Sequence, residues 1–418
     1  MMGEPSKLEK FLNYLVGVVL ITNLYLLTGL FRVPYLFILM LCLGVSSYYL
    51  VRRFNPERFF ITTISWISVF YFSLSIVFFV IEWLVHGASP KINDLVRVLI
   101  YLIYFSWTFF MFPDFESARK FLYKLVLIAA GVLIVQGILE SSQPILFALL
   151  LSENVSKNLN RVGGTLIDAN TFANTLLILL VLAWLFRPPK SSIFQNVMGI
   201  VFWVFALYLL ELSGSRQGLV IALLYGAYRI YLRMKFEFWK IYLVIAGVFV
   251  LGIIASMPMM MEYFRENPNS SVARLFFAKE NSKSSNSDHE RKNSLDAGFR
   301  FIENNGYVLG PGSLAFDDSW GDFTQWGIHV PHNCFVFLWG QYGIATLLFA
   351  WFLWISFRRS YFSGSWIVFV LFFVQFNLQP NSIYYSLQPL CLIAIDLVWY
   401  FRVNQPTFKL ALDENATH

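Results

Sequence analysis

Twelve runs of about 20 apolar residues, each the length of a helix that crosses the hydrocarbon of a bilayer, constrain this 418-residue chain more than any other feature. They begin near Phe11, Val33, Phe59, Leu95, Phe121, Thr165, Ile193, Gln217, Ile241, Asn333, Gly364 and Ile383. The expected fold is an all-α integral membrane protein with about twelve transmembrane helices. Composition bears on what else is open. Hydrophobic residues make up 57% and charged residues 13%, with 44 Phe, 13 Trp and 21 Tyr, against roughly 25% charged in an ordinary soluble domain. A water-soluble globule could not cover its surface with so few charges. Disorder, a basic nucleic-acid-binding domain and a disulfide-stapled secreted domain are excluded. The three cysteines, Cys42, Cys334 and Cys391, lie inside or beside apolar runs and read as small core residues. No early run is followed by a small-residue cleavage site and a polar mature region, so the first helix is expected to stay in the protein.

Orientation follows from lysine and arginine, which favour the cytoplasmic side. With the N-terminus inside, Lys7, Lys10, Arg52, Arg53, Arg58, Arg119, Lys120, Lys124, Arg187, Lys190, Arg229, Arg233, Lys235, Lys240, Arg358, Arg359, Arg402 and Lys409 are cytoplasmic. Only Arg32, Lys91, Arg97, Lys157, Arg161 and Arg216 fall in or near short outer loops. The net charge of +6 therefore reflects topology and calls for no nucleic-acid partner. Both termini are expected in the cytoplasm.

One stretch breaks the pattern. Residues 1–257 hold helices one to nine, 258–331 a large, partly helical outer loop, 332–403 helices ten to twelve, and 404–418 a cytoplasmic tail. Within the loop, Asn281 to Ser287 (NSKSSNS) reads as a mobile low-complexity segment. Leu295 to Ile302 has helical spacing, and Gly306, Gly310, Pro311 and Gly312 mark turns. A second outer loop, Glu140 to Gly164, contains the apolar stretch Pro144–Leu151, too short to span and suited to the interface.

Three polar clusters fall at the outer starts of helices: Asp168, Asn170 and Asn174 (DANTFAN) on helix six, Gly214 to Gly218 (GSRQG) on helix eight, and Pro331, His332 and Asn333 (PHN) on helix ten. All are expected at one depth, where a lipid phosphate head sits. Arg216 is the most informative residue. It opposes the positive-inside tendency and stands in the first turn of a helix, with Ser215 as the cap. A helix N-terminus is already electropositive, so a guanidinium there points to a bound anion, and its fork of donors suits phosphate or pyrophosphate. The plainer reading is an arginine that snorkels to the outer headgroups. His332 is either a structural histidine or a general base. His289 and His329 do not match a zinc spacing with it, and a site of His329, His332 and Asp317 or Asp318 is the weaker reading; no metal or other cofactor is expected. Glu82 and Asp396, inside apolar runs, are expected to be paired or to face a cavity.

These residues resemble the bacterial O-antigen polymerase and O-antigen ligase family of membrane glycosyltransferases. Ser215–Arg216 is similar to the family's Ser-Arg-Gly segment, with Gln217 before Gly218. Arg291 to Phe316 is similar to the family's arginine, helix, then Asn-Pro-x-x-Gly-x-Gly-x-Gly: Asn304, Gly310 and Gly312 match, while Leu295, Asn305 and Val308 depart from it. His332–Asn333 with the later Gly343 is similar to the family's His-Asn helix, and Asp168–Asn174 to its Pro-Asn-x-x-Ala segment, with Ala169 in place of proline.

The resemblance implies a GT-C-like helical fold in the bacterial inner membrane, with the large loop and the active site periplasmic. It implies transfer of a glycan from a polyprenyl-pyrophosphate donor to an acceptor hydroxyl, without metal or nucleotide. Arg216 and Arg291 would neutralise the leaving pyrophosphate, and His332 would take the acceptor proton. Asn333, Arg300, Asn170, Asp168, Ser215 and Arg161 would contact substrate. The partners implied are the lipid-linked oligosaccharide, membrane lipids, and chain-length regulator and flippase proteins. A polymerase of surface polysaccharide is favoured by the Phe-rich, poorly charged sequence and the short loop. The alternatives are an O-antigen ligase that delivers the glycan to lipid A–core and, in another class, a flippase for lipid-linked oligosaccharides. A flippase is expected to carry ionisable groups at the bilayer midplane, which is nearly free of charge here.

Overall fold

A computed structural model describes residues 4–27, 34–87, 92–151, 161–166, 168–188, 193–233, 256–259, 261–263, 266, 282–305, 307–312, 316–324, 330–331, 333–378 and 387–404. Among these residues the chain is helical with no strand. The first half comprises α1 (Lys7–Thr22), α2 (Tyr35–Arg53), α3 (Pro56–Ile61), α4 (Thr63–His86), α5 (Ile92–Met111), α6 (Phe115–Ser142), α7 (Pro144–Leu150), α8 (Ala169–Leu185), α9 (Ile193–Ser213) and α10 (Arg216–Arg233). The second half comprises α11 (Ser282–Asn305), α12 (Phe316–Thr324), α13 (Cys334–Tyr342), α14 (Thr346–Ser363), α15 (Trp366–Leu378) and α16 (Leu387–Asn404). Among the described residues the apolar runs are helical; the run from Ile241 lies outside them for most of its length. The cytoplasmic tail lies outside them too.

Five stretches among the described residues are long and apolar enough to cross a membrane: Tyr35–Arg53, Thr63–Ile81, Phe115–Ser142, Gln195–Ser213 and Cys334–Ser363. On α9, Val197, Ile200, Val204 and Tyr208 form an exposed apolar stripe at helical spacing. Such a face suits lipid and not water. The fold is that of a helical membrane protein. Inside the bundle, α8 is buried on all sides from Thr171 to Ala183, and α16 from Leu390 to Val398; a helix apolar all round belongs in the centre. The three cysteines are free and buried, as their apolar neighbours imply.

One end of the bundle is basic, and its loops are tied together there. Ser6 and Glu9 form a capping box at the start of α1, and the Glu9 carboxylate also meets Arg53 at the end of α2 at 3.1 Å. Arg58, between α2 and α4, donates to the carbonyls of Phe112 and Pro113 at 2.5 and 3.1 Å. Arg119 of α6 pairs with Glu116 at 2.6 Å and reaches the Arg187 carbonyl after α8. Arg359 of α14 meets Asp396 of α16 at 2.6 Å. Thr63, at the start of α4, donates its N–H and hydroxyl to that carboxylate at 2.6 and 2.9 Å. Asp396 is therefore a paired buried acid.

Two sequence expectations change. Helix ten is not continuous: α13 stops at Gly343, whose φ of +56° favours glycine, and a 3-10 turn, Gly343–Ala345, precedes α14. The cause is the loop segment 307–312, which docks at the break. Ile344 N–H donates to the Val308 carbonyl at 3.2 Å, and Gly312 N–H to the Gln341 carbonyl at 2.7 Å. The helix expected over Leu295–Ile302 is longer, Ser282–Asn305, and takes in most of the NSKSSNS stretch read as mobile. Once one turn is fixed by packing, each added residue gains a hydrogen bond.

Candidate functional site: an arginine cluster at the polar helix starts

The end opposite the basic one collects the polar helix starts. Asp168 caps α8, its carboxylate accepting the N–H and hydroxyl of Thr171 at 2.7 and 2.8 Å. The Ser215 hydroxyl accepts the N–H of Gly218 at 3.1 Å in the first turn of α10. Asn333 caps α13, its side-chain oxygen accepting the N–H groups of Phe335 and Val336 at 3.0 and 3.1 Å. Such caps satisfy donors that the helix itself cannot.

The loop 161–166 is fixed from below. Glu140, near the end of α6, accepts the backbone N–H groups of Gly163 and Gly164 at 3.1 and 2.6 Å. One turn earlier, Gln136 accepts the N–H and hydroxyl of Thr165 at 3.3 and 2.8 Å. The Thr165 hydroxyl also contacts the Thr22 carbonyl at the end of α1. The loop in turn holds the arginine that organises the site. Arg161 donates through Nε to the Ser213 carbonyl at 2.6 Å, and through Nη2 to the Gly214 carbonyl at 3.2 Å and the Asn170 side chain at 3.3 Å. It thereby ties the end of α9 to the start of α8. The α9–α10 turn passes through Gly214, with φ of +59°, and Arg216 follows directly as the first residue of α10. At Gly218 the two helices touch: a side chain there would collide with Leu210 and Ala173.

Electrostatics bring a third element into the cluster. Burial lowers the pKa of Arg161 from its ordinary value, the Asp168 carboxylate opposes that, and the charges of Arg291 and Arg216 lower it further. The guanidinium groups of Arg216 on α10 and Arg291 on α11 thus both lie within electrostatic reach of Arg161. Arg216 and Arg291 are each partly exposed, as a ligand site requires.

The face of α11 that carries Arg291 is the one docked on α13. Gly298 lies against Pro331 and Val336, where a Cβ would come within 2.6 and 2.8 Å. Arg291 is seven residues earlier, within about 20° of the same face and about 10 Å along the axis. The loop after α11 is pinned in the same way. A side chain at Gly310 would strike the backbone of Gly340 and Gln341, and one at Gly312 would strike Phe78. The glycines that carry the family-like pattern are packing residues.

The structure therefore groups Arg161, Asn170, Asp168, Ser215, Arg216 and Arg291 at one end, with Asn333 at the helix start against which α11 packs. His332 and His329 lie outside the described residues; Pro331 and Asn333, flanking His332, are within them. Arg300 is not brought to the cluster: it is exposed and about half a turn round α11 from Arg291. Ser215 and Asn333 spend their side-chain oxygens on caps. Sequence reasoning missed Gln136 and Glu140, which fix the loop. Beneath the cluster, Asn174 is fully buried with neither amide atom paired, and Gln217 Nε2 is likewise unpaired, among the described residues. Among the described residues no group of three His, Cys, Asp or Glu side chains stands close enough to hold a metal ion.

No family model matches the chain, and no curated protein matches it either.

Proposed function

We propose that the protein is a glycosyltransferase of the polysaccharide polymerase type, using a polyprenyl-pyrophosphate-linked glycan as donor at the periplasmic face of the bacterial inner membrane. The observation that carries this reading is the convergence of Arg161, Arg216 and Arg291 at the N-terminal ends of α8 and α10. A fold gathers like charges at electropositive helix starts where an anion of several charges is to be held. Arg216 and Arg291 bind the pyrophosphate. The acceptor hydroxyl of a second lipid-linked repeat attacks the anomeric carbon of the donor glycan. The bond from that carbon to the pyrophosphate oxygen breaks, and the electron pair leaves with the polyprenyl pyrophosphate. The hydroxyl proton passes to the imidazole of His332. Arg161 positions the cluster through its carbonyl contacts, and Asn170 and Asp168 face the same end.

The test is turnover by the purified protein in vesicles with lipid-linked repeat units, scored as longer glycan and free polyprenyl pyrophosphate. Both products are expected, in the presence of EDTA, and His332→Ala is expected to lower the rate about 10²–10⁴-fold with donor binding kept. Near-normal turnover in His332→Gln would remove the base assignment. A change in sidedness of the donor without lengthening would identify a flippase instead, and transfer only to lipid A–core would identify a ligase.

A further inference from the structure

A cavity lies toward the other end of the molecule from the arginine cluster. It opens between α6, α8, α9 and α10 and encloses about 470 Å³, within the roughly 300–1,000 Å³ of small-molecule sites. It is separate from the arginine cluster: its polar end is at Arg187, just past the end of α8, whereas Asp168 and Asn170 stand at the start of that helix, about 25 Å away along its axis.

Three features define what it accepts. The first is shape. Gly199 of α9 and Gly226 of α10 both line it, and a Cβ at either would meet nothing within 4 Å. Glycine inside a helix lowers its stability, and close packing does not require it at either position. The missing side chains keep the cleft open. Along α9 the lining runs from Gln195 to Leu207, about 18 Å, which suits an extended hydrocarbon chain. The second is charge. Arg187 and Arg229 are the ionised side chains of the lining, which contains no acid. Arg229 sits over the Trp184 ring at 4.5 Å and donates to the Tyr225 hydroxyl at 3.2 Å, so its charge is held at the wall. The third is the aromatic frame. Trp203 and Tyr225, midway along α9 and α10, stack at 5.1 Å with their planes 3° apart, a flat wall for the apolar part of the cleft.

We propose that this cleft binds one anionic phospholipid of the surrounding bilayer, with its phosphate at Arg187 and Arg229 and an acyl chain along α9 past Gly199 and Gly226. Charge complementarity selects the lipid: a basic pocket between membrane helices on the cytoplasmic side takes anionic headgroups. The site stands independently of the glycan reaction.

The experiment is native mass spectrometry of the full-length protein released from detergent, with phosphatidylglycerol and phosphatidylcholine offered in competition. One tightly retained phosphatidylglycerol is expected, at least tenfold preferred. Gly199→Leu and Gly226→Leu each fill space and are expected to abolish retention without lowering the unfolding temperature. If one of them does not fold, the other carries the test together with Arg187→Gln/Arg229→Gln, which is expected to remove the preference for the anionic lipid. Equal retention of both lipids by the unaltered protein, or undiminished phosphatidylglycerol in the leucine variants, would overturn the proposal. Retention of a polyprenyl phosphate that phosphatidylglycerol cannot displace would overturn it as well.

Discussion

The two polar ends of the bundle handle arginine in opposite ways. At the basic end, Arg53 meets Glu9, Arg359 meets Asp396, Arg119 meets Glu116, and Arg58 takes two backbone carbonyls. These are structural pairings, cation to anion or dipole. At the other end, Arg161 is bound to carbonyls but feels Arg216 and Arg291 as like charges, with Asp168 as the counterweight. The positive potential of two helix starts adds to theirs. On the proposed function, the contrast separates arginines that hold the protein together from arginines that also hold the donor.

Substitutions can break or sharpen that contrast. The largest effect on stability belongs to the basic end. Arg359→Ala leaves the buried Asp396 carboxylate without its cation, and is expected to lower unfolding free energy by about 3–5 kcal/mol, read by thermal or denaturant unfolding in detergent. At the other end the loss is expected in turnover. On the proposed reaction, Arg216→Ala or Arg291→Ala removes a preorganised donor to the leaving group, and is expected to slow lengthening about 10²–10³-fold with a smaller loss of stability than Arg359→Ala. Arg216→Lys keeps the charge and loses the fork, and is expected to recover little of the rate. An unfolding loss for Arg216→Ala as large as that for Arg359→Ala would erase the distinction. Arg161→Ala falls between the two. It loses charged hydrogen bonds to Ser213, Gly214 and Asn170, for about 1.5–3 kcal/mol of stability, and releases the α9–α10 turn, so turnover falls as well.

How much of this was legible in the sequence follows from the kind of signal each part leaves. The helices were, because burial in lipid imposes long apolar runs. So were the helix starts: Asp168, Ser215 and Asn333 cap where their residue types say they should. The grouping of Arg161 with Arg216 and Arg291 came only through the family resemblance, since the three lie on elements far apart in the chain and no spacing connects them. Glu140 and Gln136 gave no pattern; their meaning is the set of backbone N–H groups they accept, which only the fold supplies. The break at Gly343 was hidden because an apolar run reads the same on either side of it. Asp396 was visible as a buried acid, but Arg359 and Thr63 reach it from other helices. Arg300 was expected as a further substrate contact beside Arg291, and helical geometry places it about half a turn away on α11.

The smallest expected effect concerns pH and again distinguishes the ends. Glu9 precedes the apolar run that begins at Phe11. Burial alone would raise its pKa, but hydrogen bonds from Ser6 and the Arg53 charge outweigh it and hold the carboxyl below its ordinary value. A depressed carboxylate pKa means that the folded state binds the proton less readily than the unfolded one. The stability from this clamp is therefore fully present above the unfolded value of about 4.3 and is lost as pH falls through the lower folded value. Acidification from pH 5 to 3 is expected to lower the unfolding temperature, and Glu9→Gln, which cannot ionise, is expected to flatten part of that slope. The arginine cluster lies at the opposite end of the bundle from Glu9. Binding of inorganic pyrophosphate to Glu9→Gln should then match that of the unaltered protein at pH 5, by calorimetry. An unchanged acid slope in Glu9→Gln would show that the clamp between α1 and α2 does not stabilise the basic end, and a loss of pyrophosphate binding in the same variant would show that the two ends are coupled.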